Sequence, residues 1–176
     1  MAELDSLRYP IGRYTPVENT ANARAEHIRI IGQAPKRLSD AVAGLSNAQL
    51  DTPYRDGGWT VRQVVHHLAD SHMNSVIRFK LALTEDWPTI CPYNENAWAQ
   101  LADSKSLPVE PSLNLIAAMH ERWVALLEAM GDTDFERGYE HPERGRQNLA
   151  TALGIYAWHS RHHIAHITNL RACNGW

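Results

Sequence analysis

Apolar residues recur every three or four positions in long stretches of this chain, and proline- and glycine-bearing segments separate the stretches. That spacing is the period of an α-helix, in which residues i, i+3, i+4 and i+7 share a face. A first helical region is predicted from about Thr20 to Leu45. Pro35 falls inside it and should kink or divide it, because proline lacks an N–H and its ring clashes one turn back. After the turn-rich TPYRDGGW (52–59), a second helix begins at Thr60, where Gln63 three residues on completes a capping box. Its stripe is Val61, Val64, Val65, Leu68, Val76 and Phe79, and it runs to about Thr84.

Residues 86–107 contain Trp87-Pro88 and Cys91-Pro92, which predicts a long connection with a helical turn near ENAWAQL. That length suits a crossover better than a tight antiparallel turn. A third helix is predicted from about Pro108 to Met130, with its prolines in the first turn, where they are tolerated. Its stripe is Leu113, Ile116, Ala117, His120, Val124 and Leu127. The charged ERGYEHPERGRQ (136–147) reads as a solvated loop, and a fourth helix follows from a cap at Asn148 to about Ala172. Residues 1–16 read as an extended lead-in. No segment alternates with period two, so the predicted fold is all-α: a four-helix bundle forming one domain over residues 1–176.

Composition narrows the function classes. A chain of 176 residues that is 44% hydrophobic and 21% charged has the length and balance of one globular domain. A net charge of −3 gives no electrostatic case for nucleic acid or an acidic membrane as partner. No apolar run approaches a membrane span, and the N-terminal residues lack a signal-peptide pattern, so a cytoplasmic protein is expected. Cys91 and Cys173 belong to no CxxC pair, which fits two free thiols in a reducing compartment and excludes a thiolate-built metal site.

The candidate chemistry lies in YAWHSRHHIAH, which carries four of the chain's ten histidines: His159, His162, His163 and His166. His163 lies on the apolar stripe of the fourth helix, and His159 sits one turn earlier beside it. Residues four apart on a helix can reach one metal ion, as in HExxH sites. Ser160 stands where that motif has its glutamate, so this is no HExxH protease site. His162 and His166 form a second pair, rotated toward the edge of the face.

On the second helix, Thr60, Gln63, His67, Asp70, Asn74 and Arg78 form a polar line beside the apolar stripe, as in bundles that line an interior site. His67 could supply a third imidazole, and its neighbour His66 points away. Asp70 could orient an imidazole, act as a general base or be a surface charge. His120 competes for the third place from the stripe of the third helix, although a hydrogen-bonded core histidine is the plainer reading. His27, His72 and His141 read as ordinary surface or loop histidines.

RYPIGRY, YRDGGWTVRQVVHHLADSHMNS, IRFKLALTED and YAWHSRHHIAH together resemble the DinB-like family, in its YfiT-type branch, over almost the whole chain. The resemblance implies a four-helix bundle with an up-down-down-up course and a long crossover between its second and third helices. It also implies one divalent ion per subunit, zinc or nickel, held by His67, His159 and His163, in a cytoplasmic homodimer. The activity it implies is metal-dependent hydrolysis of a small molecule, through water at a position the three imidazoles leave open. Thiol S-transfer with a low-molecular-weight thiol such as bacillithiol is the alternative, and a non-catalytic metal-binding module is a third reading.

Overall fold

The computed structural model describes residues 6–176. Of the predicted lead-in, residues 1–5 lie outside the described residues; residues 6–8 are helical, and a turn follows them. Four long helices form the bundle: α1 (Ala21–Val42), α3 (Val61–Thr84), α6 (Glu110–Glu128) and α8 (Leu149–Asn174). Short helices join them: α2 (Asn47–Leu50), α4 (Glu95–Trp98), α5 (Ala102–Ser106) and α7 (Asp132–Glu136).

Local chemistry accounts for the helix starts. The Thr60 hydroxyl accepts from Gln63 N–H while the Gln63 side chain accepts from Thr60 N–H, the reciprocal box predicted for α3. Asn148 caps α8 by accepting from Thr151 N–H. Arg62, almost fully buried, bonds Asp51 at 2.7 Å and the Leu107 carbonyl at 2.9 Å, tying the start of α3 to α2 and to the crossover. Gln63 adds a 2.6 Å bond to the Ala99 carbonyl.

Residue pairs fix the helix directions. On α3 and α8, His67 meets His163 and Arg78 meets Tyr156, so these helices are antiparallel. On α3 and α6, His66 meets Ser112 and Phe79 meets Trp123, so these are parallel. At the start of α1, Arg24 pairs with Asp132 just beyond the end of α6, whereas Ala41 at its end receives Arg171 of α8. The course is therefore up-down-down-up, and the 86–107 segment, with α4 and α5, is the crossover the parallel pair requires.

Two features depart from the sequence reading. The predicted solvated loop contains a two-stranded antiparallel hairpin, β1 (Gly138–His141) and β2 (Gly145–Asn148), with Gly138 opposite Asn148. Gly145 closes its turn at φ 70°, a left-handed conformation that glycine adopts without penalty. Four-residue strands of sequence GYEH and GRQN show too little alternation to be read in advance. Pro35 does not divide the first helix, which runs through it from Ala21 to Val42.

The core has two apolar layers. One gathers Ile31, Phe79, Trp123, Tyr139 and Leu153, and the other Leu38, Val61, Val65, Ile116 and Ile167. Between them every long helix turns polar or changes backbone chemistry: Pro35 on α1, Ser71, His72 and Ser75 on α3, His120 on α6, and His159 to His166 on α8. A band of imidazoles thus crosses the bundle between two hydrocarbon layers. Cys91 and Cys173 are both exposed and unpaired.

Candidate metal centre

Helices α3 and α8 cross so that His67, His159 and His163 each direct a ring nitrogen at one point, with the three atoms within 4.8 Å of one another. His67 Nε2 and His159 Nε2 stand 3.2 Å apart. Two nitrogens bound at about 2.0–2.1 Å to a tetrahedral ion would be separated by about 3.3 Å, so this edge already has ligand spacing. The Nδ1 of His163 is buried without a hydrogen-bond partner. Trp59, from the loop before α3, packs on His67 at 4.6 Å and stacks over His163 at 6.2 Å between ring centroids. The donor set, all neutral nitrogen, is the kind that suits zinc or nickel.

A chain of hydrogen bonds sets which nitrogen of His159 is free. The Ile31 carbonyl can only accept, and His120 Nδ1 approaches it at 2.8 Å, so that nitrogen carries the proton. In neutral imidazole the other nitrogen then accepts, and His72 Nδ1 donates to His120 Nε2 at 2.8 Å. By the same logic His159 Nδ1 donates to His72 Nε2 at 3.2 Å. His159 Nε2 is left with a lone pair aimed at His67. The chain starts where it does because of Pro35: the carbonyl of residue 31 would bond the N–H of residue 35, and proline has none.

Burial keeps these rings neutral. It lowers the pKa of His67 and of His120 to about 4, and holds His72, His159 and His163 well below the ordinary value, with neighbouring imidazoles adding to the effect. His159 opens one side to a cavity, yet protein encloses the rest of its ring, and that enclosure governs its charge. Neutral imidazole is the form a metal requires, so no proton has to be displaced at neutral pH.

The remaining predicted residues are distributed as follows. His120 lies at the far end of the chain, a core histidine with both nitrogens bonded. His66 points toward α6 and bonds Ser112 at 2.7 Å. Asp70 is off the cavity wall; burial and then the charge of Asp103 raise its pKa to about 6. His162 and His166 are buried rather than at an edge: His162 stacks on Trp158, and His166 stacks on Tyr54 while its Nε2 meets the Arg8 carbonyl at 3.2 Å. Together with His163 they form a second close group, drawn from one helix alone.

His72 and His141 correct the surface assignment: they are 1% and 6% exposed, while His27 is half-buried. His72 was missed because it lies five residues beyond His67, off the polar line, and because helical patterning counts histidine as solvent-facing. The signal available was its level, since it falls opposite His120 once α3 and α6 are known to be parallel.

The three nitrogens open onto a cavity of about 450 Å³. Its floor is His67, His159 and His163; the walls come from the Trp59 loop, the 92–96 segment and the hairpin turn.

Comparison with known proteins places this geometry among relatives. The DinB superfamily profile matches residues 30–167. YfiT of Bacillus subtilis (strain 168), named a candidate metal-dependent hydrolase, is 53% identical over 173 residues, 97% of each chain. A protein of Bacillus mycoides (strain KBAB4) with the same kind of name is 54% identical over 174 residues, covering 98% of this chain and 100% of its own. The solved structure of the B. subtilis protein, described as a probable metal-dependent hydrolase with an unusual four-helix bundle topology, superposes with a TM-score of 0.94. It covers 97% of this chain and 99% of that one. Among the described residues no helix is long and apolar enough to cross a membrane.

The histidine band predicts how stability depends on pH. A histidine with a lowered folded pKa takes up a proton more readily once unfolded. As pH falls from the unfolded value near 6.5 toward the folded value near 4, unfolding becomes progressively easier. Thermal melts of the metal-free protein should therefore shift steadily downward between pH 7 and pH 5. A melting temperature that stays flat across that window would contradict burial of neutral imidazoles.

Proposed function

Because the chain belongs to the DinB superfamily, we propose that it is a metal-dependent hydrolase in which His67, His159 and His163 hold one divalent ion, zinc or nickel. The observation that carries the reading is the convergence of three neutral ring nitrogens from two helices at the floor of one cavity. Three imidazoles leave coordination positions open, the pattern of catalytic rather than structural sites. When bound, the ion supplies a Lewis acid that polarises a substrate oxygen and lowers the pKa of water toward neutrality.

The chain's own groups prepare that chemistry. His72 and His120 hold His159 in one tautomer and one orientation, a service that metal-bound imidazoles commonly receive from a hydrogen-bond partner. Trp59 packs on His67 and His163 and covers that side of the cluster with aromatic surface. Tyr93 on the opposite wall has its pKa pushed up to about 12, mainly by burial, so its hydroxyl stays protonated and can donate to a substrate oxygen.

Metal analysis after dialysis tests the ligand set. His67→Ala, His159→Ala and His163→Ala should each lose the bound ion, whereas His162→Ala and His166→Ala should keep it. Loss in His166→Ala with retention in His67→Ala would move the site to the one-helix group. Metal-loaded protein should hydrolyse ester or amide substrates, and stripped protein should not. Conjugation of a low-molecular-weight thiol without any hydrolysis would assign the chain to thiol transfer instead.

The hydrogen-bonded chain predicts a separation of stability from metal affinity. His72→Phe removes the acceptor for His159 and should weaken zinc binding about 10–100-fold. Pro35→Ala restores the N–H that competes for the Ile31 carbonyl and removes a poor helix residue. It should weaken zinc binding in the same direction while leaving the metal-free protein at least as stable to denaturant. Unchanged zinc affinity in both variants, measured by chelator competition, would show that the chain does not position His159.

A further inference from the structure

The whole chain carries a net charge of −3, yet the cavity over the three histidines is lined by four arginines, Arg8, Arg55, Arg78 and Arg144, against two glutamates, Glu95 and Glu143. The cavity is therefore locally positive in a negative protein, an arrangement that draws anions inward. Its two arginine pairs flank the histidine group. Arg8 and Arg55 belong to the end near His166, where Arg8 offers its carbonyl and Arg55 its charge. Arg78 and Arg144 belong to the other end, where both act on His141.

Arg78 stands apart from the other three because it is part of a bundle helix. It lies eleven residues after His67 on α3, just over three whole turns, so both side chains leave the helix on nearly the same face. It is half-buried, and its guanidinium reaches toward the hydroxyl of Tyr156 at 3.5 Å. Among the described residues neither Arg78 nor Arg144 makes an ion pair. A half-buried guanidinium on a rigid helix, facing a cavity without a carboxylate partner, is suited to a planar anion bound through two N–H groups.

We propose that the substrate carries a carboxylate or phosphate group, and that Arg78 anchors it while the bond to be broken lies over His67, His159 and His163. The location of the bond rests on the hydrolase reading; the anion site does not. The Tyr156 hydroxyl that Arg78 approaches belongs to the residue three before His159 on α8, so the anchor and the reacting bond share one cavity.

Calorimetric titration of the zinc-loaded protein with glutarate and with glutaramate tests this without requiring turnover. The two probes have the same length and differ in one charge. Glutarate should bind about 10-fold tighter or more, as expected for a hydrogen-bonded charge pair. The difference should vanish in Arg78→Gln and survive in part in Arg78→Lys, with all three proteins melting alike. Replacing glutarate by 4-phosphonobutyrate distinguishes the two anions, because the tighter binder under the same Arg78 dependence identifies the group. Equal binding of glutarate and glutaramate to the unaltered protein, or a difference that persists in Arg78→Gln, overturns the proposal. An Arg78-dependent gap in a protein that hydrolyses no ester leaves the anion site standing and removes the hydrolase reading. Ester hydrolysis without the gap does the reverse.

Discussion

The carbonyl oxygen of Ile31 accepts a hydrogen bond from His120 at 2.8 Å, and it is free to do so because the residue four places on is Pro35. From that point the protonation of three imidazoles is determined in sequence. His120 must carry its proton on Nδ1, so His72 and then His159 must do the same. The lone pair of His159 Nε2 emerges at the cavity floor, 3.2 Å from His67 Nε2. A backbone irregularity in one helix is thus expressed as the orientation of a nitrogen on another, through two intervening side chains.

Such a chain is stable only where water cannot compete. The two apolar layers above and below the histidine band provide that exclusion, and Trp123 stands edge-on to both His72 and His120. The same exclusion makes charge on these rings costly, which keeps them neutral and available as ligands. On the open side the environment reverses, and the cavity is lined by four arginines against two glutamates. Dry, neutral nitrogen below and cationic side chains above is a division of labour suited to holding an ion while admitting an anionic substrate.

Much of this was legible in the sequence. The caps at Thr60 and Asn148 and the helix ends follow from local rules that tertiary packing did not override. The i,i+4 spacing pointed to His159 and His163 and the polar line offered His67, but the choice of His67 over His120 came from the family resemblance rather than from spacing. What could not be read was contact between helices distant in sequence. His72 pairs with His120 across 48 positions, and no periodicity within α3 reveals that. Pro35 was legible as a helix fault, but its consequence depends on which donor from another helix faces the freed carbonyl. The hairpin escaped notice because Tyr139 is its one large buried apolar side chain.

The most direct test of the account is the tautomeric state of the histidine chain. Nitrogen-15 long-range correlation spectra of the zinc-loaded protein distinguish protonated from bare ring nitrogens. His120, His72 and His159 should all appear as the Nδ1–H tautomer, with His159 Nε2 shifted by the metal. An Nε2–H signal from His72 or His120, or a metal shift on His159 Nδ1, would contradict it.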